Sequence, residues 1–280
     1  MALGRLDART SESVALGLHV VASAVLVTLL GLPVVALFLR VPPARLLARF
    51  RDDALLEALR LSLLTSVAAT LVVMLLGLPV AYLLATKRFP GKRLLEVLLE
   101  LPMVLPPTVA GVGLLLAFGR QGLAGGALGA LGLSLPFSTL AVIVAQSFVA
   151  APFFIAATRA GLAEVDRRYL DAAATLRSPP SRTLFRVMLP LALPSLVAGA
   201  AMTWARALGE FGATITFAGN MPGVTQTMPL AVYLALQTDL DAAVAMSVLM
   251  LTLSLGVLLG VRLAAPGLLP AGHRARASTR

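Results

Sequence analysis

Six long apolar stretches, separated by short polar ones, dominate the chain. They lie at roughly 14–39, 58–86, 101–118, 137–158, 192–217 and 242–262. A helix that crosses a hydrocarbon core of about 30 Å needs about 20 apolar residues, and each stretch is close to that length or longer. The pattern predicts an all-α polytopic membrane protein with about six transmembrane helices, forming one transmembrane domain over residues 1–280. Arg5 and Arg9 precede the first stretch, as basic residues precede a secretory leader. Its apolar run is longer than a leader's core and no small-residue cleavage pattern closes it, so it is read as a retained span.

Several stretches carry interruptions. Gly77-Leu-Pro79 predicts a bend in the second. A charged-apolar helix at the membrane surface is expected from Lys92 to Glu100, before Pro102 and the pair Pro106-Pro107. Prolines within a span free backbone carbonyls, which are tolerable where protein or a water-filled path satisfies them. Thr108, directly after the pair, is therefore either a path-lining residue or part of a structural kink. Six glycines between Gly119 and Gly132 predict a flexible connection.

The fifth stretch is the most informative. Ala201, Ala205, Gly209 and Ala213 recur every four residues and predict a stripe for close helix packing. Met202, Arg206, Glu210 and Thr214 run beside it with the same spacing. An ionisable residue inside a membrane is a functional candidate by default. Arg206 and Glu210, one turn apart, either neutralise each other or serve a substrate path or gate, with Thr214 continuing the same line. Farther on, residues 219–233 form an uncharged segment rich in hydroxyl and amide groups, suited to a partner or a polar substrate.

Composition and charge narrow the class. Only 13% of the 280 residues are charged and 59% are hydrophobic, which excludes an ordinary soluble domain. There is no cysteine, and His19 and His273 lie near opposite ends, so no metal-ligand spacing exists. The net charge of +10 invites a nucleic-acid reading, but the basic residues flank apolar stretches instead of forming one basic face. Most of them fall on one side if the amino terminus is cytoplasmic: Arg5 and Arg9; Lys87, Arg88, Lys92 and Arg93; the arginines from Arg159 to Arg186; and Arg262, Arg274, Arg276 and Arg280. Arg40, Arg45, Arg49 and Arg51 run against that orientation. Asp52, Asp53 and Glu57 offset them, and Leu46, Leu47, Phe50 and Leu55 suggest an amphipathic helix lying on the membrane.

No catalytic constellation appears. The chain lacks the Gly-x-x-x-x-Gly-Lys-Ser/Thr phosphate loop, a His-Glu-x-x-His helix and a Gly-x-Ser-x-Gly elbow. One polar island between apolar stretches stands out, from Asp171 to Pro190. Asp171 is expected to start a helix through Ala172-Ala173-Ala174. Ser178-Pro179-Pro180 forces a bend, and Pro180 suits the first turn of a second short helix reaching Pro190. Two short helices and a bend, exposed between spans, make a knob for another protein to grip.

This island resembles the cytoplasmic loop of ATP-binding-cassette importer permeases, whose consensus is Glu-Ala-Ala, three residues, Gly, and later Leu-Pro. Asp171-Ala172-Ala173 and Leu189-Pro190 match its two ends, and Arg177 stands where the consensus has glycine. Gly209-Glu-Phe-Gly to Ala218-Gly-Asn220, with Pro222-Gly-Val-Thr-Gln-Thr227, resembles the molybdate/tungstate branch; the likeness covers about residues 58–262. It implies that the island (within 159–190) contacts a separate ATPase subunit through Asp171, Ala172, Ala173, Thr175, Leu176, Arg177, Ser178 and Arg182. It further implies a homodimer with two such ATPases, which hold the ATP and magnesium, and an external oxyanion-binding protein, in the plasma membrane of a prokaryote. The chain itself would then be no enzyme and hold no cofactor. A sulfate or thiosulfate permease is the nearest alternative. A self-sufficient secondary transporter would show internal repeats and mid-membrane carboxylates; no clear repeat exists and Glu210 is the one such carboxylate.

Overall fold

The computed structural model describes residues 3–40 and 52–264, and among these all regular structure is helical. The long helices are α1 (Leu3–Arg40), α2 (Asp53–Thr86), α6 (Thr139–Ala163), α9 (Leu189–Leu208) and α12 (Leu240–Ala264). Between them lie α3 (Lys92–Val104), α4 (Pro107–Phe118), α5 (Gly125–Ala130), α7 (Arg167–Thr175), α8 (Pro180–Thr183), α10 (Gly212–Phe217) and α11 (Met228–Thr238). Among the described residues five segments are long and apolar enough to cross a membrane, and α3 with α4 make a sixth if counted as one. That pair is bent by 117° at Leu105-Pro106, so the straight span expected at 101–118 is a broken one. Pro106 and Pro107 explain the break: neither can donate to the preceding turn, and Leu105 is pushed out of the α region.

The expected surface helix around residues 46–55 is replaced at its far end. Leu55 belongs to α2 and is buried with Ala58, Met228 and Met246. Arg45, Arg49, Arg51, Leu46, Leu47 and Phe50 lie outside the described residues, as do Arg274, Arg276 and Arg280.

The centre of the bundle is α6. It runs parallel to α2, with Ala69 beside Ala150 and Gly77 against Phe154 and Ile155. Antiparallel to it runs α9, with Gly161 against Ser195, Gly199 against Ala157, and the Thr203 hydroxyl donating to the Ala150 carbonyl at 3.5 Å. Small residues at these crossings let the backbones approach, which is how helices associate where no water is available to drive them together. The buried line on α9 is therefore Ala192, Gly199, Thr203 and Ala207, not the expected Ala201, Ala205 and Gly209; Ala213, the fourth member of that stripe, is buried but lies beyond the end of α9. Ala205 and Gly209 stay exposed.

The register places two ends. Thr86, Ala163 and the polar island share one; Asp53, Thr139, Leu208 and Met228 share the other. At the second end the Ser62 hydroxyl of α2 accepts the Met228 N–H at 2.7 Å, fastening the first turn of α11 across the bundle. Residues 119–136 fold back on the end of α4 through Leu123 N–H to Leu116 O and Ala124 N–H to Ala117 O.

Candidate functional site: a polar island and a capped helix break

At the island, α7 begins earlier than Asp171. The Asp166 side chain accepts the Arg168 N–H at 2.9 Å and caps the helix, because Asp at that place satisfies an otherwise orphaned donor. Asp171 is then mid-helix and exposed. At the far end the Ser178 N–H reaches back to Ala173 O at 3.0 Å and the Arg177 N–H to Ala174 O at 2.9 Å. This doubly bonded turn needs a left-handed residue at Arg177, whose φ is +52°. The arginine thus adopts the conformation that a glycine would take most readily. Pro180 opens α8 as expected, and the Thr183 hydroxyl bonds the Ser178 hydroxyl at 3.2 Å across the bend.

The second helix of the island does not stop at Pro190. It continues through a π turn, Leu184–Met188, into α9, making one span from Pro180 to Leu208. In that wide turn the Leu189 N–H bonds Leu184 O, which lets the chain absorb Pro190 without breaking. Beneath the island, Leu162, Met188 and Ala192 form a buried cluster with Tyr82, Leu170 and Leu184 around them. Ala173 is buried, whereas Ala172, Thr175, Leu176, Arg177 and Arg182 are exposed and Ser178 is half-buried.

The second candidate region is where α9 ends. The span expected to run on to 217 stops at Leu208, with the Gly209 N–H bonded to Ala205 O. After a break of three residues α10 begins, and the Glu210 carboxylate caps it: Oε1 accepts the Ala213 N–H at 2.8 Å. Oε2 of the same group lies 2.7 Å from Nη2 of Arg206. Glu210 is fully buried, while the Arg206 side chain is 29% exposed. The Arg206–Glu210 pair therefore exists, though not on one continuous helix. Thr214 falls on α10, fully buried, its hydroxyl without a hydrogen-bond partner among the described residues.

Thr108 joins this region through the α4–α10 crossing. A Cβ on Gly212 would sit 2.6 Å from Pro107 Cβ and 3.1 Å from Thr108 N. One on Gly111 would meet Thr216 Cβ at 2.6 Å. Thr108 is exposed at the start of α4, beside the break that Glu210 caps. The Phe211 ring packs on Tyr233 at 5.1 Å. In the segment after α10, Thr225, Gln226 and Thr227 are turned inward, and only Met221 to Gly223, with Val224, face out. Its fold is held by the Thr225 hydroxyl accepting Met221 N–H at 2.9 Å and by the Thr139 hydroxyl donating to Val224 O at 2.9 Å.

Sequence reasoning missed Gln146. It is fully buried on α6, with neither amide atom hydrogen-bonded among the described residues. The signal was available: it is the one Gln, Asn or charged side chain between Thr139 and Phe154. The ion pair between Arg159 Nη1 and Glu96 Oε1, 2.6 Å, which ties α3 to α6, was missed as well.

The described residues thus form a bundle of spans with a broken α3–α4 segment and a bent polar island that leads straight into the next span. The family described as binding-protein-dependent transport system inner membrane component matches residues 74–269. The chain belongs to this family. Among its relatives is the molybdenum transport system permease protein ModB of Mycobacterium tuberculosis, 45% identical over 84% of this chain and 89% of the relative. The molybdate/tungstate transport system permease protein WtpB of Thermococcus kodakarensis is 34% identical over 85% of this chain and 90% of its own. In fold, the permease resembles a chain of a bacterial ABC transporter involved in alginate import, with a TM-score of 0.75 at 13% identity, covering 94% of this chain and 98% of that one. The methionine ABC transporter MetNI aligns with a TM-score of 0.58 at 22% identity, over 76% and 93% of the two chains. The permease is thus a multi-pass membrane component with the ABC-importer permease fold.

Proposed function

We propose that this permease carries molybdate or tungstate through the membrane as the transmembrane subunit of an ATP-driven importer. The observation that carries the substrate is the 45% identity, over most of both chains, to a permease named for molybdenum transport. A dianion cannot enter hydrocarbon without a polar route. Two copies would enclose the route between them. The stripe Ala201, Ala205 and Gly209, with Met202 beside it, supports this, since Ala205, Gly209 and Met202 are exposed and Ala201 half-buried within one chain. The same arrangement would turn Thr108, Arg206 and the capped break towards the route, with Thr214 buried behind it.

The island faces the cytoplasm in this reading, as its arginines favour, and the amino terminus lies on the same side. Each copy offers its exposed Asp171, Ala172, Thr175, Leu176, Arg177 and Arg182 to one ATPase subunit, with Ala173 and Ser178 shaping the turn beneath them. ATP is bound and hydrolysed on that subunit. An external binding protein delivers the oxyanion at the opposite end. The test is ATP hydrolysis by the assembled complex in proteoliposomes with its binding protein. Molybdate or tungstate should stimulate it and sulfate only weakly. Strong stimulation by dilute sulfate with none by molybdate would reassign the substrate.

A further inference from the structure

The island contains a choice that its own folding does not require. Arg177 occupies the left-handed position of the turn that ends α7, at φ +52°. Glycine is the usual residue there because a Cβ is crowded by the adjacent backbone, and a long side chain is uncommon. Backbone positions of this kind persist where the side chain is needed for something else. The Arg177 guanidinium is exposed and has no carboxylate or hydrogen-bond partner among the described residues.

Its surroundings point the same way. Arg182 and Arg186 are also exposed and unpaired among the described residues. Asp171 is the one carboxylate of the island, and from Ala172 to Gly209 the chain has no Asp or Glu, so the three cations outnumber it. Leu176, next to Arg177, is 82% exposed, and Phe185 is 63% exposed. Two exposed apolar side chains among three unpaired arginines fit a protein surface with an apolar hollow rimmed by carboxylates.

We propose that Arg177 sets the specificity of the island for its partner: its guanidinium pairs with a carboxylate of the ATPase subunit, and the left-handed turn aims it there. The proposal rests on the island being the ATPase contact. Anionic lipid would also attract these arginines. A headgroup layer, however, is met equally by any nearby arginine and makes no demand on one disfavoured backbone position.

The experiment measures binding of the cognate ATPase subunit to the permease in nanodiscs, with neutral or anionic lipid and over a range of salt. Arg177→Gly should melt no lower than the unaltered permease yet bind the ATPase about tenfold more weakly in both lipids. Its binding should also depend less on salt, because an ion pair is gone. Arg177→Lys should recover part of the loss. Binding of Arg177→Gly equal to that of the unaltered permease would overturn the proposal, as would a loss confined to anionic lipid. Failure of the unaltered permease to bind any ATPase subunit would overturn the ATPase reading of the island as well.

Discussion

The carboxylate of Glu210 closes the break between α9 and α10 by accepting the Ala213 N–H at 2.8 Å, while its other oxygen faces Arg206. One buried group thus starts a helix and neutralises a cation. The two jobs separate under substitution. Arg206→Met leaves a buried carboxylate with one partner and should destabilise the permease by about 2–4 kcal/mol, below the full value for a wholly buried pair because Arg206 is partly exposed. Glu210→Gln keeps an acceptor for Ala213. The double variant Arg206→Met with Glu210→Gln should therefore melt close to the unaltered protein. If the pair serves the oxyanion route, that folded double variant loses uptake; normal uptake by it would leave the pair a structural element. A double-mutant cycle scored for melting and for flux separates these cases.

Ser62 and Met228 test how α11 is held. Ser62→Ala removes the acceptor of a buried N–H and should cost about 1–3 kcal/mol. Ser62→Thr retains the hydroxyl and should cost less if the added methyl is accommodated. Thermal unfolding in detergent reads both. A melting temperature unchanged in Ser62→Ala would mean that water or lipid replaces the bond.

The α6–α9 crossing predicts a contrast between glycines. A Cβ on Gly161 would collide with the Ser195 side chain, whereas one on Gly256 of α12 meets nothing within 4 Å. Gly161→Ala should destabilise by about 1–3 kcal/mol through overpacking. Gly256→Ala should be neutral or slightly stabilising, since alanine is the better helix former. Equal melting of the two variants would contradict the close approach of α6 and α9.

Gln146 offers a test in the opposite direction. Its amide is buried without partners among the described residues, so replacing it with an apolar side chain of similar length should not weaken the fold. Gln146→Met is expected to melt at or above the temperature of the unaltered protein. A fall equivalent to more than about 1 kcal/mol would show that the amide is engaged by a buried water.

By itself, the sequence determined the class of this protein and where its apolar stretches lie, because membrane insertion depends on the summed hydropathy of about 20 neighbouring residues, a local property. It also determined where the island lies, since a polar, proline-bearing segment between two spans must return to water. The bend was expected from Ser178-Pro179-Pro180; that Arg177 itself takes the left-handed turn was visible only in the fold. Tertiary structure decided the rest, and for one reason: the spans are apolar all round, so periodicity cannot say which face meets a neighbour. Ala201, Ala205 and Gly209 are as small as Gly199, Thr203 and Ala207, yet the second line packs on α6 because Phe154, Ala157 and Ala150 happen to stand opposite it. The end of α9 at Leu208 was hidden for a related reason. Residues 209–217 are apolar enough to continue a span, and they leave it only because Glu210 reaches Ala213 and Gly212 lets α10 lie against Pro107.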